Sequence, residues 1–412
     1  MQIKAKANEE QLKKKNSEKK ISVKKQYWIE KHFNSNKEKN FLEKQINPVL
    51  SRLLSSRNVE ANNFEDYMNP KIKNILPDPF ILHDMEIATN KIVEIIKEKK
   101  KIGIFGDYDV DGSTSTALLS KYLREAGVEF EFYIPDRIKE GYGPNEDAFT
   151  RLVDSNCELI ITLDCGTTAF KEIDFTNKKG VDVIVIDHHK QGKELPKAFA
   201  IVNPNKQSDN SNLVNLCAAG VTFLLLVSLN RELKKINFFQ DGEPNLIFYL
   251  DLVALGTVCD LVKIDHLNRA FIKQGLRILN HSPNLGVSSI LKESKIDSEV
   301  TDYHLGFIIG PRINAGGRVG KSSLGAELLL SNENKIANVM ALRLGEFNNL
   351  RKKIEKAVEI KAIGMVHDND QIICVNSKNW HPGVIGIVAS RLVEKFNRPS
   401  IVISEDEKLC RA

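Results

Sequence analysis

Between residues 101 and 186, short runs of apolar residues alternate with longer stretches in which apolar residues recur at helical spacing. The apolar runs 101–105, 129–134, 159–163 and 181–186 have the length of buried strands. Helices are predicted after the first three runs, at 113–126, around 145–155 and at 167–178. Strands that alternate with helices over short connections are typical of a parallel sheet with helices on both faces. The predicted fold class is therefore α/β.

The remainder of the chain has a different pattern. The segments 218–233 and 246–258 are apolar and predicted to be helical, and 268–345 is predicted to form helices and loops with a Gly-rich loop at 310–320. The densely charged stretch 346–363 predicts an exposed connecting helix. Strands at 371–375 and 400–403, with a helix at 384–396, begin a second α/β unit that is too short to complete a core, so we expect the natural protein to continue beyond Ala412.

This pattern predicts five regions. They are a basic tail that is disordered or a frayed helix (1–45), a helical and loop extension (46–100), a catalytic domain with a parallel sheet (101–265), a helical region with a connecting helix (266–365), and an incomplete second α/β domain (366–412).

Charge and composition add limits to this picture. The formal net charge is +5, but the first 45 residues hold 13 Lys and 6 Glu, so the rest of the chain is slightly acidic. The tail is interpreted as a solubilising extension, with a non-specific electrostatic tether to nucleic acid as the alternative. No apolar run reaches the eighteen residues of a membrane span, and no secretory signal is recognisable, so a cytoplasmic location is predicted. None of the six cysteines forms a C-x-x-C pair.

Acidic and imidazole residues directly follow three of the predicted strands. The runs are Asp-Tyr-Asp-Val-Asp-Gly at 107–112, Asp-Cys-Gly at 164–166 and Asp-His-His at 187–189. Ligands bind at the carboxyl edge of open α/β sheets, and so many carboxylates would repel one another there without cations among them. Carboxylates with imidazoles and no thiolate suit Mn²⁺ or Mg²⁺. The sequence therefore predicts a binuclear metal site that hydrolyses a phosphoester.

Each run has a simpler interpretation as well. The first could be a calcium loop, although a strand precedes it where an EF-hand has a helix. Its glycine permits a tight turn, and Ser113 is expected to cap the following helix. Asp164 and Asp260 could be helix caps, and the adjacent histidines could be a structural pair.

Together with Gly-Thr-Val-Cys-Asp at 256–260, these runs resemble the four motifs of the DHH phosphoesterase superfamily in order and spacing. The segments 310–320 and 381–391 further resemble the RecJ family of single-strand-specific DNA exonucleases, and the likeness extends from about residue 77 to the end. The resemblance implies two divalent cations, Mn²⁺ or Mg²⁺, with Asp164 as the bridge. It implies that the metal ligands are Asp109, Asp111, Asp164, His188 and Asp260. It also implies that His189 contacts the scissile phosphate and that Asp107 is a ligand or supports the ligands.

The same resemblance implies 5′→3′ hydrolysis of single-stranded DNA in repair and recombination, with a single-strand-binding protein and a helicase as partners. It also implies a further Gly-Ser-rich phosphate loop and an OB-fold that this sequence does not contain. Two alternatives stay open: a phosphodiesterase for short oligonucleotides or cyclic dinucleotides, and an inactive nucleic-acid-binding remnant. Inorganic pyrophosphatase is disfavoured because Phe105 stands where its first motif has a histidine.

Candidate substrate contacts lie in three segments. In the loop 135–145, Arg137 could pair with a phosphate and Tyr142 could stack on a base. The full set of predicted substrate residues is Arg137, Tyr142, Asn145, Arg312, Asn314, Arg318 and His381, with Arg391 as a further member of the groove wall. The alternatives are an ordinary interdomain loop at 310–320 and a plain turn at residues 381–382.

Overall fold

The computed structural model of the chain describes residues 20, 21, 23, 27–240, 242–406 and 410–412. The chain divides into two compact units, Met1–Asn69 and Pro70–Ala412. Much of the predicted disordered tail (1–45) lies outside the described residues. Its last part is folded, however, because Ser35–Glu43 is a helix and the Phe41 ring is fully buried among apolar neighbours. The end of this region is therefore helical rather than disordered.

The elements follow one another in a mostly alternating order. The strands are β1 (Lys20–Ile21), β2 (Tyr27–Trp28), β3 (Lys101–Gly106), β4 (Phe130–Tyr133), β5 (Cys157–Leu163), β6 (Asp182–Ile186), β7 (Ala200–Val202), β8 (Ile373–Ser377), β9 (Ser400–Glu405) and β10 (Cys410–Arg411). The α-helices of the N-terminal half are α1 (Ser35–Glu43), α2 (Pro48–Ser56), α3 (Phe64–Met68), α4 (Ile72–Ile75), α5 (Met85–Lys97), α6 (Val110–Glu125), α7 (Glu146–Asp154), α8 (Phe170–Lys178) and α9 (Ala218–Lys235). Those that follow are α10 (Leu250–Cys259), α11 (His266–His281), α12 (Leu285–Glu293), α13 (Asp302–His304), α14 (Gly310–Val319), α15 (Leu324–Leu329), α16 (Asn334–Gly364) and α17 (Ile385–Phe396).

A five-stranded parallel sheet forms the centre of the larger unit, with the strand order β4-β3-β5-β6-β7. Residues along each strand alternate between its two faces, so each face has its own apolar set. Ile102, Ile104 and Ile161 pack on the side covered by α5, α6, α9 and α10. Phe105 and Ile160 pack on the side covered by α7 and α8. The predicted α/β class, with a parallel sheet between helical layers, is confirmed.

Two features of the sheet unit were not predicted. The sheet has a fifth strand, β7, whose three residues are too few to show a period. Helix α5 lies within the predicted extension 46–100, yet Ile92, Ile95 and Ile96 are buried in the core of the sheet.

The segment 310–320 is mostly helical, which corrects the loop predicted there. A π-helix at Leu305–Ile309 runs directly into α14. Its glycines serve close packing rather than turning: a Cβ at Gly310 would lie 2.5 Å from the Sγ of Cys259. The connecting helix α16 is also longer than predicted, because it begins twelve residues before residue 346.

A smaller sheet follows α16. Strand β8 pairs in parallel with β9, and β10 pairs antiparallel to β9. Val375, Trp380, Val388 and Val402 form a separate apolar cluster with the end of α16. Across the parts of the chain that the structure describes, no helix combines the length and the apolar character needed to cross a bilayer.

Candidate metal centre

The register of the sheet brings the ends of four strands side by side. Gly106 is paired with Leu163, Leu163 with Ile186, and Ile186 with Val202. The next residue of each strand is therefore at the same carboxyl edge. These residues are Asp107, Asp164, Asp187 and Asn203.

The turn after β3 directs three carboxylates towards this edge. Asp109 is the N-cap of α6, and its Oδ1 accepts a hydrogen bond from the Gly112 amide at 3.0 Å. This corrects the prediction that Ser113 caps the helix, since Ser113 is inside it. Gly112 passes so close to Asp107 that a Cβ there would lie 2.5 Å from the carbonyl oxygen of Asp107.

Asp111 is fixed by the start of another helix. Its Oδ2 and Oδ1 accept hydrogen bonds from the backbone amides of Ala218 and Ala219, at 2.6 and 2.9 Å. These amides open α9 and have no partner within that helix, so the carboxylate satisfies them. Asp111 is thereby held at the point where α6, α9 and the sheet edge meet.

The predicted ligands fall into overlapping groups of three donors. Within each group the ligand atoms lie within 4.8 Å of one another. The groups are Asp107, Asp109 and Asp164; Asp111, His188 and Asp260; and Asp164, His188 and His189. Because Asp164 and His188 each occur in two groups, the arrangement offers two adjacent sites with shared donors.

The donors are buried without enough partners of their own. Asp164 is 2% exposed and Asp107 is 4% exposed. One carboxylate oxygen of each, together with the Nε2 of His188, has no hydrogen-bond partner among the described residues. Nor does any lysine or arginine in those residues form an ion pair with Asp111, Asp164 or Asp260, whose partners are histidines. Buried carboxylates that lack organic cations fit divalent metal ions.

Burial and mutual repulsion change the acidity of the whole group. Burial, and then the neighbouring Asp109, raise the pKa of Asp107 to about 8. Burial, and then Asp111, raise the pKa of Asp260 to about 8 and hold that of Asp164 well above its usual value. Without cations the protein can keep these carboxyls together only by protonating some of them.

Asp187 behaves differently from the other carboxylates. Burial raises its pKa, but the hydrogen bond from His189 and those from Thr167 outweigh this effect and lower it below the usual range. Its Oδ1 lies 2.8 Å from the Nδ1 of His189. In turn, Asp187 raises the pKa of His189 to about 8. Asp187 is thus an ionised partner for His189 rather than a metal donor.

Two predicted substrate residues, Arg137 and Tyr142, line a cavity of about 600 Å³ beside the metal centre, together with Tyr108 and Gly383. The guanidinium of Arg137 lies 5.2 Å from the centre of the Tyr108 ring. The hydroxyl of Tyr142 donates a hydrogen bond to the carbonyl oxygen of Asp164 at 3.2 Å and is 3.4 Å from both ring nitrogens of His189. Arg318 bonds the carbonyl of Gly383 at 3.0 Å, and burial, followed by the neighbouring arginines, lowers its pKa to about 10.

Other predicted substrate residues have protein partners. Asn145 caps α7, with Oδ1 bonded to Ala148 and Nδ2 bonded to Glu140. Arg312 pairs with Glu293 at 2.8 Å, and Arg391 pairs with Glu394 and Glu355.

The remaining two predicted substrate residues are half-buried. Asn314 lies within α14. The Nδ1 of His381 accepts a hydrogen bond from the Gly383 amide at 3.0 Å.

Sequence reasoning gave no site role to five residues at this edge, although two of them lie within the runs at 107–112 and 187–189. They are Tyr108, Thr167, Asp187, Asn203 and Asn205. The signal for Asn203 was present, because the apolar run 200–202 ends directly before it, as the other strands end before their acidic residues.

Comparisons with known proteins agree with this geometry. Residues 101–257 match the model of the DHH family, N-terminal domain. The chain is 36% identical to the single-stranded-DNA-specific exonuclease RecJ of Haemophilus influenzae, over 88% of this chain and 64% of that protein. It is 37% identical to the RecJ of Bacillus subtilis, over 88% of this chain and 45% of that protein. The chain therefore spans roughly half to two thirds of the length of these relatives.

Solved structures give the same result. A crystal structure of exonuclease RecJ bound to manganese is 32% identical, with a TM-score of 0.71 over 78% of this chain and 80% of that one. RecJ of Thermus thermophilus in complex with Mn²⁺ has a TM-score of 0.78 at 28% identity, over 90% of this chain and 52% of that one. The predicted family resemblance is confirmed. The chain belongs to the RecJ family of DHH proteins.

Proposed function

We propose that this chain hydrolyses single-stranded DNA from the 5′ end, with two divalent cations, Mn²⁺ or Mg²⁺, bound at the sheet edge. The proposal rests on the three donor groups at this edge, which are linked to one another through Asp164 and His188. The residues fit such ions, because the donor set is oxygen with imidazole, lies within 4.8 Å and contains buried atoms without partners. The solved relatives named as RecJ with Mn²⁺ support the metal assignment.

The proposed ligands are Asp109, Asp111, Asp164, His188 and Asp260, with Asp107 as a further ligand or a support for them. When bound, the cations supply charge that stabilises the attacking and leaving oxygens of an in-line displacement. Asp164, which joins two donor groups, is proposed to be shared between both ions.

The chain's own groups then position the substrate. The Nδ1 of His189 donates a hydrogen bond to Asp187, and because this carboxylate raises the pKa of His189 to about 8, Nε2 also carries a proton near neutral pH and can donate to the scissile phosphate. Arg137 offers a guanidinium at the cavity wall, where a planar fork matches a terminal phosphate. Tyr142 is 54% exposed and lies next to His189, so its ring is available for a base.

Further assignments belong to this proposal. The chain acts in DNA repair and recombination, works in the cytoplasm, and has a single-strand-binding protein and a helicase as partners. Arg318 and His381 each hydrogen-bond Gly383, which lines the same cavity as Arg137, and they are proposed to contact the substrate together with Asn145, Arg312 and Asn314. The domains extend over 46–100, 101–265, 266–365 and 366–412.

A length series of single-stranded DNA tests the activity. Oligonucleotides of about 2 to 60 nucleotides, labelled at the 3′ end, are incubated with Mn²⁺ and their products are sized. We expect stepwise shortening from the 5′ end, faster on long strands than on dinucleotides. The matched variants are Asp164→Asn, which should be inactive, and Asp174→Asn on exposed helix α8, which should be fully active.

The same assay separates the alternatives. Rapid cleavage of dinucleotides or cyclic dinucleotides with little action on long strands would identify a small-substrate phosphodiesterase. Binding of DNA without cleavage, and without uptake of Mn²⁺ in calorimetry, would identify a binding protein and refute the proposal.

A further inference from the structure

The segment after the edge strand β7 contacts the metal centre without belonging to its donor groups. It begins with Asn203, which is fully buried, and continues through Asn205 to Lys206. No sequence motif discussed above includes these residues. Their contacts lead to the two histidines.

Both donor hydrogens of the Asn203 side-chain amide, and its oxygen, form hydrogen bonds to the protein. Its Nδ2 donates to the Oγ1 of Thr167 at 2.9 Å and to the carbonyl oxygen of His189 at 2.8 Å. Its Oδ1 accepts from the amide of Asn205 at 2.8 Å. A primary amide has two donor hydrogens, and both are satisfied here by acceptors.

Thr167 continues this chain of bonds. Because its hydroxyl accepts from Asn203, its own hydrogen is directed to the Oδ2 of Asp187, 2.6 Å away. The other oxygen of Asp187 faces the Nδ1 of His189 at 2.8 Å. The order of donors is therefore Asn203 to Thr167 to Asp187, with His189 donating to Asp187 from the opposite side. This order places the proton of a neutral His189 ring on Nδ1.

Asn205 serves the other histidine. Its Nδ2 donates to the carbonyl oxygen of His188 at 2.6 Å. The Nε2 of the same histidine lies 3.2 Å from the Oδ1 of Asp164. Asn205 therefore fixes the backbone of His188 while the His188 ring faces the other metal donors.

A buried ion pair anchors the whole segment. The ammonium of Lys206 is 1% exposed and lies 2.6 Å from the Oδ2 of Asp84, at the start of α5. It also bonds the carbonyl oxygen of Ile201. The segment is thus tied to the helical layer of the sheet rather than left as a surface loop.

We propose that Asn203 and Asn205 are positioning residues, each of which orients one of the two histidines. Asn205 holds His188 for metal binding, and Asn203, through Thr167 and Asp187, holds the ring of His189 for turnover. The part that concerns turnover rests on the proposed function, whereas the part that concerns metal binding rests only on the donor groups.

The two roles predict opposite results in two measurements. Substitution of groups that orient metal ligands costs about 10- to 100-fold in affinity or activity. Asn205→Ala should weaken Mn²⁺ binding in calorimetry by about tenfold or more. Asn203→Ala should lower kcat on single-stranded DNA by about tenfold or more, with KM and Mn²⁺ affinity within about twofold of the wild type. Asn210→Ala is the control, since this exposed asparagine of the same loop makes no side-chain hydrogen bond within the described residues.

Two further measurements keep the test decisive. If Asn203→Ala does not fold, Thr167→Val breaks the same chain of bonds with a side chain of equal shape and should give the same selective loss of kcat. In protein labelled with ¹⁵N-histidine, at about pH 9, where the ring is neutral, His189 should show a protonated Nδ1, and an unprotonated Nδ1 would overturn the donor order described above.

The outcomes separate the two proposals. Equal losses of Mn²⁺ affinity and kcat in both variants, or wild-type values in both, would overturn the division of roles. A wild-type protein that cleaves no DNA would end the proposed function alone, because the calorimetry and the ¹⁵N spectra would still decide whether Asn205 and Asn203 position the histidines.

Discussion

Removing the charge of Asp164 should have opposite effects on the protein with and without metal. Asp164 lies in one donor group with Asp107 and Asp109 and in another with the histidines. The variant Asp164→Asn keeps the size of the side chain. It also suits the backbone, because Asp164 has a φ of +63° and asparagine tolerates this left-handed conformation better than most residues.

The magnitude follows from the distances within the donor group. Two full negative charges 4.8 Å apart repel by about 3.5 kcal/mol at an effective dielectric constant of about 20. Protonation already relieves part of this repulsion, since the pKa of Asp107 is raised to about 8. Because the pKa of Asp164 itself lies well above its usual value, its carboxyl is partly protonated at neutral pH and the full repulsion is an upper limit. We therefore expect Asp164→Asn to raise the free energy of unfolding of the metal-free protein by up to about 3 kcal/mol.

Addition of Mn²⁺ should reverse the order of stability. A ligand that binds only the folded state stabilises it by about 2.7 kcal/mol at 100 times its Kd, and the variant has lost a donor shared by two groups. The assay is urea unfolding of both proteins in EDTA and in Mn²⁺, alongside nuclease activity. Asp174→Asn serves as the control, because its exposed ion pair with Lys178 contributes little in either condition. A variant that is less stable than the wild type in EDTA, or equally stabilised by Mn²⁺, would contradict the assignment of Asp164 as a shared metal ligand.

Three further predictions concern other parts of the molecule. Arg137→Ala should raise KM by about 10- to 100-fold, which is the effect of losing one hydrogen bond to a charged group, and should weaken the preference for 5′-phosphorylated DNA. Arg391→Ala should change neither the KM nor this preference. Gly275→Ala should lower the free energy of unfolding in urea by about 1 to 3 kcal/mol because its Cβ would fall on the backbone of α10, whereas Gly364→Ala, with open space around it, should not. Burial raises the pKa of Asp251 to about 6, so the folded state binds more protons than the unfolded state between about pH 4 and 6 and loses stability as the pH rises. Relative to the wild type, the free energy of unfolding of Asp251→Asn should therefore rise by about 3 kcal/mol between pH 4 and pH 7. A difference between the two proteins that does not depend on pH would contradict the raised pKa of Asp251.

The sequence predicted the sheet and most of the donors because both depend on local order along the chain. A buried strand shows as an apolar run, and the residue after it lies at the carboxyl edge whatever the rest of the chain does. Asp107, Asp164 and His188 were found in this way. Asp260 was found only through its motif, since it follows helix α10 rather than a strand.

The segment 310–320 shows where the same reasoning fails. Several glycines in a short stretch predict a turn when only the backbone's freedom is considered. In α14, however, a Cβ at Gly317 would lie 3.2 Å from the ring of Tyr108. The glycine is therefore required for close packing against a residue that is about two hundred positions away in the sequence. A sequence alone does not distinguish glycine that bends the chain from glycine that admits a neighbour.

The residues that orient the histidines could be predicted only in part from the sequence. Asn203 follows a strand as Asp107 does, but β7 is three residues long, and an asparagine after a short apolar run is common in turns. What distinguishes it is the register of β7 with β6, which places Asn203 beside Asp187. That pairing joins strands separated by thirteen residues, and the contacts of Asn203 with Thr167 and His189 exist only once it has formed. The donors of a metal site can therefore be predicted from residue type and order, whereas the groups that hold those donors in place are defined by the register of the sheet.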